Sequence, residues 1–333
     1  MCTCITYDNG DHYFGRNLDL YYSYHETVTV VPRNYPLEFR HADTEVHHPA
    51  MIGMAFVCDG YPLYYDAVNE YGLAVAGLNF PGEAVYAKHD AGEKSSKGKE
   101  VKMDIAVFEL IPWILSRCHT LAEARELLER TRLTDEPFSP SLPVTPEHWS
   151  VADATGSVVV ECTKSGMHVY ENPTGVMTNS PDFSYMLTYL RQFRHLSPDE
   201  GEGTFSDKLD LPVYSLGMAG YGLPGDLSSP SRFVRATFMR QNSISDGTED
   251  GNVSQFFHIL GSVAQTRGSV RIGDGKYEIT IYSSCMNLEK GIYYYRTYDN
   301  SSIHAVDMHR ENLNGTEVKT YPLKDSFEVN FQN

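Results

Sequence analysis

Hydrophobic period changes four times along this chain, and the order of those changes restricts the fold more than any other feature. Apolar residues alternate through residues 2–80, recur at helical spacing over 103–131, alternate again through 148–181, return to helical spacing within 231–265 and alternate once more over 277–309. Strands grouped with strands and helices with helices predict an α+β layered fold, because alternating βαβ units would interleave the two periods. The chain of 333 residues has no internal repeat and is read as a single domain, 1–333, large enough to bury a core without staples.

The first block opens with a hairpin. CTCITYD and DHYFGRN flank Asn9-Gly10, a two-residue turn signal. With such a loop, opposed residue numbers sum to about 19. That register puts Cys2 opposite Asn17 and brings Asp19 to the Cys2 face. Arg16 then needs a bulge to turn inward. Further strands are expected at 26–32, 51–60, 61–68 and 72–80. Residues 82–102 are polar and read as an exposed connection. A helix is expected over 103–118, with Pro112 as a kink, and a second from the capping box Thr120-Leu121-Ala122-Glu123. The four prolines of 133–146 mark a loop. A hairpin follows around Ala154-Thr155-Gly156, and later helices are expected at 231–241 and 254–265.

Lys plus Arg number 27 against 44 Asp plus Glu, a net charge of −17. This acid excess argues against nucleic acid and anionic membrane as partners. No apolar run approaches the ~18 residues of a membrane span. Residues 1–25 lack the charged and apolar regions of a secretory signal, which predicts a cytoplasmic chain with free thiols at its six cysteines.

Cys2 stands apart because it follows Met1. Removal of Met1 is expected when the second residue is small, and it leaves Cys2 with a thiol and a free α-amine. An α-amine of pKa about 7.7–8.0 is poised to take a proton from a thiol of about 8.5, so one residue supplies both nucleophile and base.

Several segments, in one order along nearly the whole chain, carry a family likeness: MCT, FGRNLD, NEYGLAVAGLNFPG, GVMTNSP, GLPGDLSSPSRFVR and SSCMNLEKGIYYYRTYDN. The chain resembles the choloylglycine hydrolase family, the bile salt hydrolases and penicillin V acylases among the N-terminal nucleophile hydrolases. The resemblance implies a four-layer αββα sandwich. It implies catalytic residues at Cys2 (nucleophile), Arg16 and Asp19 (GRNLD), Asn79 (AGLNFPG), Asn179 (TNSP) and Arg232 (SRF). Asn79 and Asn179 are then oxyanion or α-amine partners, Asp19 orients the amine, and Arg16 and Arg232 polarise the site. The small-molecule substrate is expected to be a glycine- or taurine-conjugated bile salt, since Asn at position 79 is typical of that branch and Tyr of penicillin acylases. Leu18, Leu20, Phe56, Val57, Phe138 and Leu142 are the expected apolar substrate cleft. The family implies no cofactor, no metal and a homotetramer, with 196–227 as an assembly extension. Cys4 departs from the family pattern, as a buried small side chain or an oxidation partner of Cys2.

Three other functions compete. One is the same chemistry on penicillin V or an acyl-homoserine lactone. Another is a non-catalytic lipid-binding protein, which the intact set of catalytic residues argues against. The third is a metal protein using Cys2-x-Cys4 with His47-His48, for which a single Cys-x-Cys is a weak signal.

Overall fold

The computed structural model describes residues 1–89 and 102–333. Most of the expected 82–102 connection therefore lies outside the described residues. Strands β1 (Cys2–Asn9), β2 (Asp11–Leu20), β3 (Thr27–Val31), β4 (Met51–Cys58), β5 (Tyr61–Asn69) and β6 (Ala74–Asn79) form the first block. Strand β7 (Met103–Ala106), helices α1 (Leu110–Arg117) and α2 (Leu121–Glu129), and strand β8 (Thr131–Thr134) follow, with β7 and β8 paired in parallel. Next come β9 (Glu147–Asp153), β10 (Gly156–Thr163), β11 (Gly166–Glu171) and β12 (Val176–Met177). Helices α3 (Phe183–Leu190), α4 (Ser229–Asn242) and α5 (Glu249–Gly261) precede a small ribbon, β13 (Arg271–Gly273) with β14 (Lys276–Tyr277). Strands β15 (Ile279–Asn287), β16 (Ile292–Thr297), β17 (His304–Asp307) and β18 (Lys319–Pro322) close the chain.

Two antiparallel sheets stack. One runs β12-β1-β2-β15-β16-β17 and the other β11-β10-β9-β6-β5-β4-β3-β18. Helices α4 and α5 cover the first sheet, α1 and α2 cover the second, and β1 and β2 meet β6 between the sheets. The result is the αββα sandwich. Buried apolar side chains fall into two clusters, one between the sheets and under α4 and α5, the other between the second sheet and α1. No helix among the described residues is long and apolar enough to cross a membrane.

Three local expectations are corrected. The segment from 103 begins as a strand, and the helix starts only at Leu110. Pro112 thus sits in the first helical turn, where its missing N–H has no intrahelical partner to lose, and it makes no kink. Helix α3 was not expected; Asp182 caps it by accepting from the Tyr185 N–H at 3.1 Å. The hairpin register shifts by one: Asn9 pairs with Asp11 across Gly10 (φ +81°), so Cys2 faces Leu18 and Cys4 faces Arg16. Because opposed side chains share a face, Arg16 lies on the Cys2 face with no bulge, and Asp19 goes to the face under the helices.

Gly15, between β1 and β15, has no room for a side chain: a Cβ there would lie 2.1 Å from the Ser284 carbonyl oxygen. Gly15→Ala is expected to destabilise the protein by roughly 1–3 kcal/mol or more through overpacking, read as a fall in the urea midpoint at unchanged m-value.

Candidate active site

The hairpin brings its cysteine to the floor of a pocket. Cys2 is 2% exposed, and Arg16, one pair inward on the same face, donates from Nη2 to its Sγ at 2.5 Å. The other terminal nitrogen of Arg16 donates to the carbonyls of Tyr65 (3.2 Å) and Gly77, in β5 and β6. Burial works against the guanidinium charge, but the acidic groups around it, Cys2, Tyr282 and Asp66, favour that charge and hold the group protonated. Asp66 is itself pushed up by burial and drawn back by Arg16. It accepts from Tyr293 and Ser284, both at 2.7 Å.

A second buried cation holds the backbone. Arg232, in the first turns of α4, donates to the Cys2 carbonyl, to Thr3 Oγ1 (2.6 Å) and to Asn179 Oδ1 (2.7 Å). Asn179 Oδ1 also accepts from the Cys2 N–H at 2.7 Å, and its Nδ2 donates to the Asn79 carbonyl at 2.7 Å. Both polar atoms of the Asn179 side chain are thus engaged. The Asn79 side-chain amide, by contrast, has no partner among the described residues and faces the pocket.

Asp19 lies beside the chain terminus. Its N–H donates to the Met1 carbonyl at 2.9 Å, its carbonyl accepts from the Met1 ammonium at 2.8 Å, and the ammonium also pairs with Glu278. One carboxylate oxygen accepts from Thr280 at 2.7 Å; the other is buried without a partner among the described residues. Burial raises the Asp19 carboxyl, opposed by Arg232 and by the amino terminus.

The cavity in front of Cys2 is about 630 Å³, within the roughly 300–1,000 Å³ of small-molecule sites. Leu18, Leu20, Phe56, Phe138 and Leu142 line it; Val57 does not. Sequence reading missed Tyr24, Tyr65, Ile111, Trp149 and Glu147, which also line it. Glu147 carried a signal: a charge in PEHW at the mouth of an apolar strand. Burial pushes its carboxyl up to about 7, against the pull of Arg16.

Cys4 is a free, buried thiol, pushed well up by burial. His48 is engaged with the Pro49 and Tyr35 carbonyls (both 2.8 Å) and His47 with Asn34, so neither joins Cys2 and Cys4. At the pocket edge, His41, His89 and Glu136 bring possible metal ligands within 4.8 Å of one another. The two imidazoles stack at 3.7 Å and 9°. Parallel rings aim their in-plane lone pairs in parallel planes, so this arrangement does not converge on one ion.

In this sandwich the chemistry begins at the end of a central strand, where a cysteine, two buried guanidiniums and an open pocket meet. Fold and site together define an N-terminal nucleophile hydrolase. The chain belongs to the choloylglycine hydrolase family of linear amide C–N hydrolases, whose pattern matches residues 2–321. It is 52% identical to a bile salt hydrolase/transferase of Lactiplantibacillus plantarum over 97% of each chain. It is 38% identical to one of Clostridium perfringens over 100% of each. The solved conjugated bile acid hydrolase of Clostridium perfringens superposes over 100% of both chains with a TM-score of 0.89 and 38% identity. A penicillin V acylase of Agrobacterium tumefaciens shares the fold at a TM-score of 0.71 and 19% identity, over 96% of this chain and 90% of that one.

The raised Glu147 carboxyl has a consequence for stability. The folded state holds this proton more tightly than the unfolded chain, whose value is near 4.5. Ionisation therefore costs nothing below pH 4.5, costs progressively more up to about pH 7, and is constant above. Glu147→Gln is expected to match wild type at pH 4.5 and to exceed it at pH 8 by about 1–3 kcal/mol, measured by urea unfolding at both pH values.

Proposed function

We propose that this protein is a conjugated bile salt hydrolase, cleaving the amide bond between a bile acyl group and glycine or taurine. The observation that carries this reading is the placement of Cys2 Sγ, held by Arg16, at the floor of a largely apolar cavity sized for a small molecule. The similar proteins named as bile salt hydrolases support the acyl group.

In the proposed mechanism Met1 is removed and the Cys2 nitrogen becomes an α-amine. The unpaired Asp19 oxygen and Asn179 Oδ1 are then its partners. The amine takes the thiol proton as Sγ attacks the amide carbon. The carbonyl oxygen becomes an oxyanion, for which the free Asn79 side-chain amide is the donor. The C–N bond breaks as the ammonium proton passes to the leaving nitrogen, and glycine or taurine departs. The acyl group is left as a thioester on Cys2. Water then attacks, giving a proton to the amine, and the thiol is restored as the acid leaves. An amine in place of that water would give acyl transfer; two of the similar proteins are named as hydrolase/transferases. Arg232 acts through the Cys2 carbonyl and Asn179 as a positioning group.

The reading includes a cytoplasmic homotetramer with 196–227 as the assembly extension. Phe205, Tyr214, Leu216 and Tyr221 are all more than four-fifths exposed there (83%, 86%, 91% and 87%), which supports burial against other copies.

Active protein is expected to begin at Cys2 by intact mass, and a retained Met1 in active enzyme would overturn the amine's role. Cys2→Ala is expected to abolish turnover with the fold intact by circular dichroism, and Cys2→Ser to retain only a small fraction. Hydrolysis of a glycine-conjugated bile salt is expected to exceed that of penicillin V by about tenfold or more in kcat/KM, a difference of about 1.4 kcal/mol in transition-state binding. Penicillin V as the better substrate moves the function to the acylase branch.

A further inference from the structure

One buried acid close to the nucleophile has no part in the mechanism above. Asp66, in β5, is 0% exposed and does not line the cavity. It sits where β5 bulges: Met54 pairs with Asp66 and Ala55 with Tyr64, so Tyr65 is the extra residue. Two acceptors leave β5 here for the first sheet. The Tyr65 carbonyl accepts from Arg16 Nη1 at 3.2 Å, and the Asp66 carboxyl crosses to β15 and β16.

Four donors reach that carboxyl. Oδ1 accepts from the Met54 N–H at 3.3 Å and from Tyr293 at 2.7 Å. Oδ2 accepts from Ser284 at 2.7 Å and from Tyr282 at 3.4 Å. An ionised carboxyl offers about four lone-pair sites and no donor, so a shell of four donors suits the ion. Ser284 Oγ also accepts from the Arg16 N–H at 3.1 Å, which ties the carboxylate to the residue that carries the guanidinium. The two charges form no direct ion pair among the described residues, yet each supports the other against burial.

A fixed anion behind the guanidinium changes what Arg16 does in front, where its Nη2 meets Cys2 Sγ. An unbalanced cation draws strongly on a thiolate. The other acidic groups nearby supply little balance. Burial pushes Cys4, Tyr65 and Tyr282 up and keeps them neutral at pH 7. Glu147, pushed up to about 7, is only partly ionised there. Asp19 faces Arg232 and the amino terminus before Arg16.

We propose that Asp66 is a positioning residue, the fixed counter-charge of Arg16 that moderates its pull on the Cys2 sulfur and keeps that sulfur basic enough to attack an amide carbon. This rests on Cys2 as the nucleophile of the reading above. A more acidic thiol gives more thiolate but a weaker nucleophile. Arg16 without Asp66 therefore makes Cys2 readier to ionise and slower to react. A carboxyl that merely clasps the two sheets together predicts neither change.

The test is Asp66→Asn in the mature enzyme. It removes the charge and keeps the shape, and the Ser284 and Tyr282 hydroxyls can turn to accept from the new amide. Labelling of Cys2 by iodoacetamide is followed across pH by the mass of the N-terminal peptide. The pH midpoint of labelling is expected to fall by about one unit relative to wild type. The rate on the plateau above it is expected to fall about threefold. Because Asp66 does not line the cavity, kcat for glycocholate is expected to fall about threefold or more with KM within about twofold. Tyr293→Phe removes one donor, keeps the ring and weakens the ion, so its midpoint is expected to move the same way by less. It carries the test if Asp66→Asn does not fold. A midpoint that stays or rises in the variants that fold overturns the proposal, even where turnover is lost, and leaves Asp66 as a clasp between sheets. Labelling needs no bile salt, which separates this inference from the substrate reading. If no conjugate is hydrolysed but the midpoint falls, the substrate reading fails and the counter-charge stands. If conjugates are hydrolysed and the midpoint does not fall, the counter-charge alone fails.

Discussion

The buried Arg16 guanidinium ties the two halves of the sandwich together at the point where the nucleophile sits. It belongs to the first sheet, yet two of its acceptors are carbonyls of the second, at Tyr65 and Gly77, and its third contact is Cys2 Sγ. A buried cation is tolerable only if its N–H groups are bonded and its charge is balanced. Here the carbonyls satisfy the first condition, while the nearby Asp66 carboxyl answers to the second. The spacing of the sheets, the lie of Cys2 and the electrostatics at sulfur are therefore set by one side chain.

A second cation repeats this arrangement on the opposite side of β1. Arg232 crosses from α4 to the Cys2 carbonyl, Thr3 and Asn179, and Asn179 continues to the Asn79 carbonyl. This chain joins a helix, the nucleophile strand, the loop after β12 and the end of β6. It divides the labour of the two asparagines in a way their residue type cannot. Asn179 is consumed in holding backbone, and Asn79 keeps its side-chain amide for the cavity.

The pocket shows how far local pattern reaches. Five of the six cleft residues expected from sequence line the cavity, because apolar residues on loops and strand ends beside the nucleophile have few other places to go. Val57 is the one that does not. Trp149 and Ile111 are buried, and only the packing of β9 and α1 around the cavity reveals that they also wall it. Glu147 falls between the expected loop 133–146 and the strand after it. Its place in the cavity comes from standing opposite Asn79, a pairing across 68 residues of chain that no local signal encodes.

By itself the sequence determined the layered class, the hairpin at Cys2, the capping of α2 by Thr120 (3.2 Å from the Glu123 N–H) and the residue types able to do amide chemistry. These depend on period, turn chemistry and neighbours within a few positions. The tertiary structure decided the rest. The hairpin register differs by one residue from the two-residue-loop expectation, and in a strand one residue is a change of face. That shift put Arg16 against the sulfur and sent Asp19 to the other side, towards Thr280 and the amino terminus. The convergence of residues 2, 16, 79, 147 and 179 with 232 is fixed by sheet pairing and by α4 lying on β1. Such long-range contacts depend on the whole packed fold, whereas the chemistry of each residue is already present in its side chain.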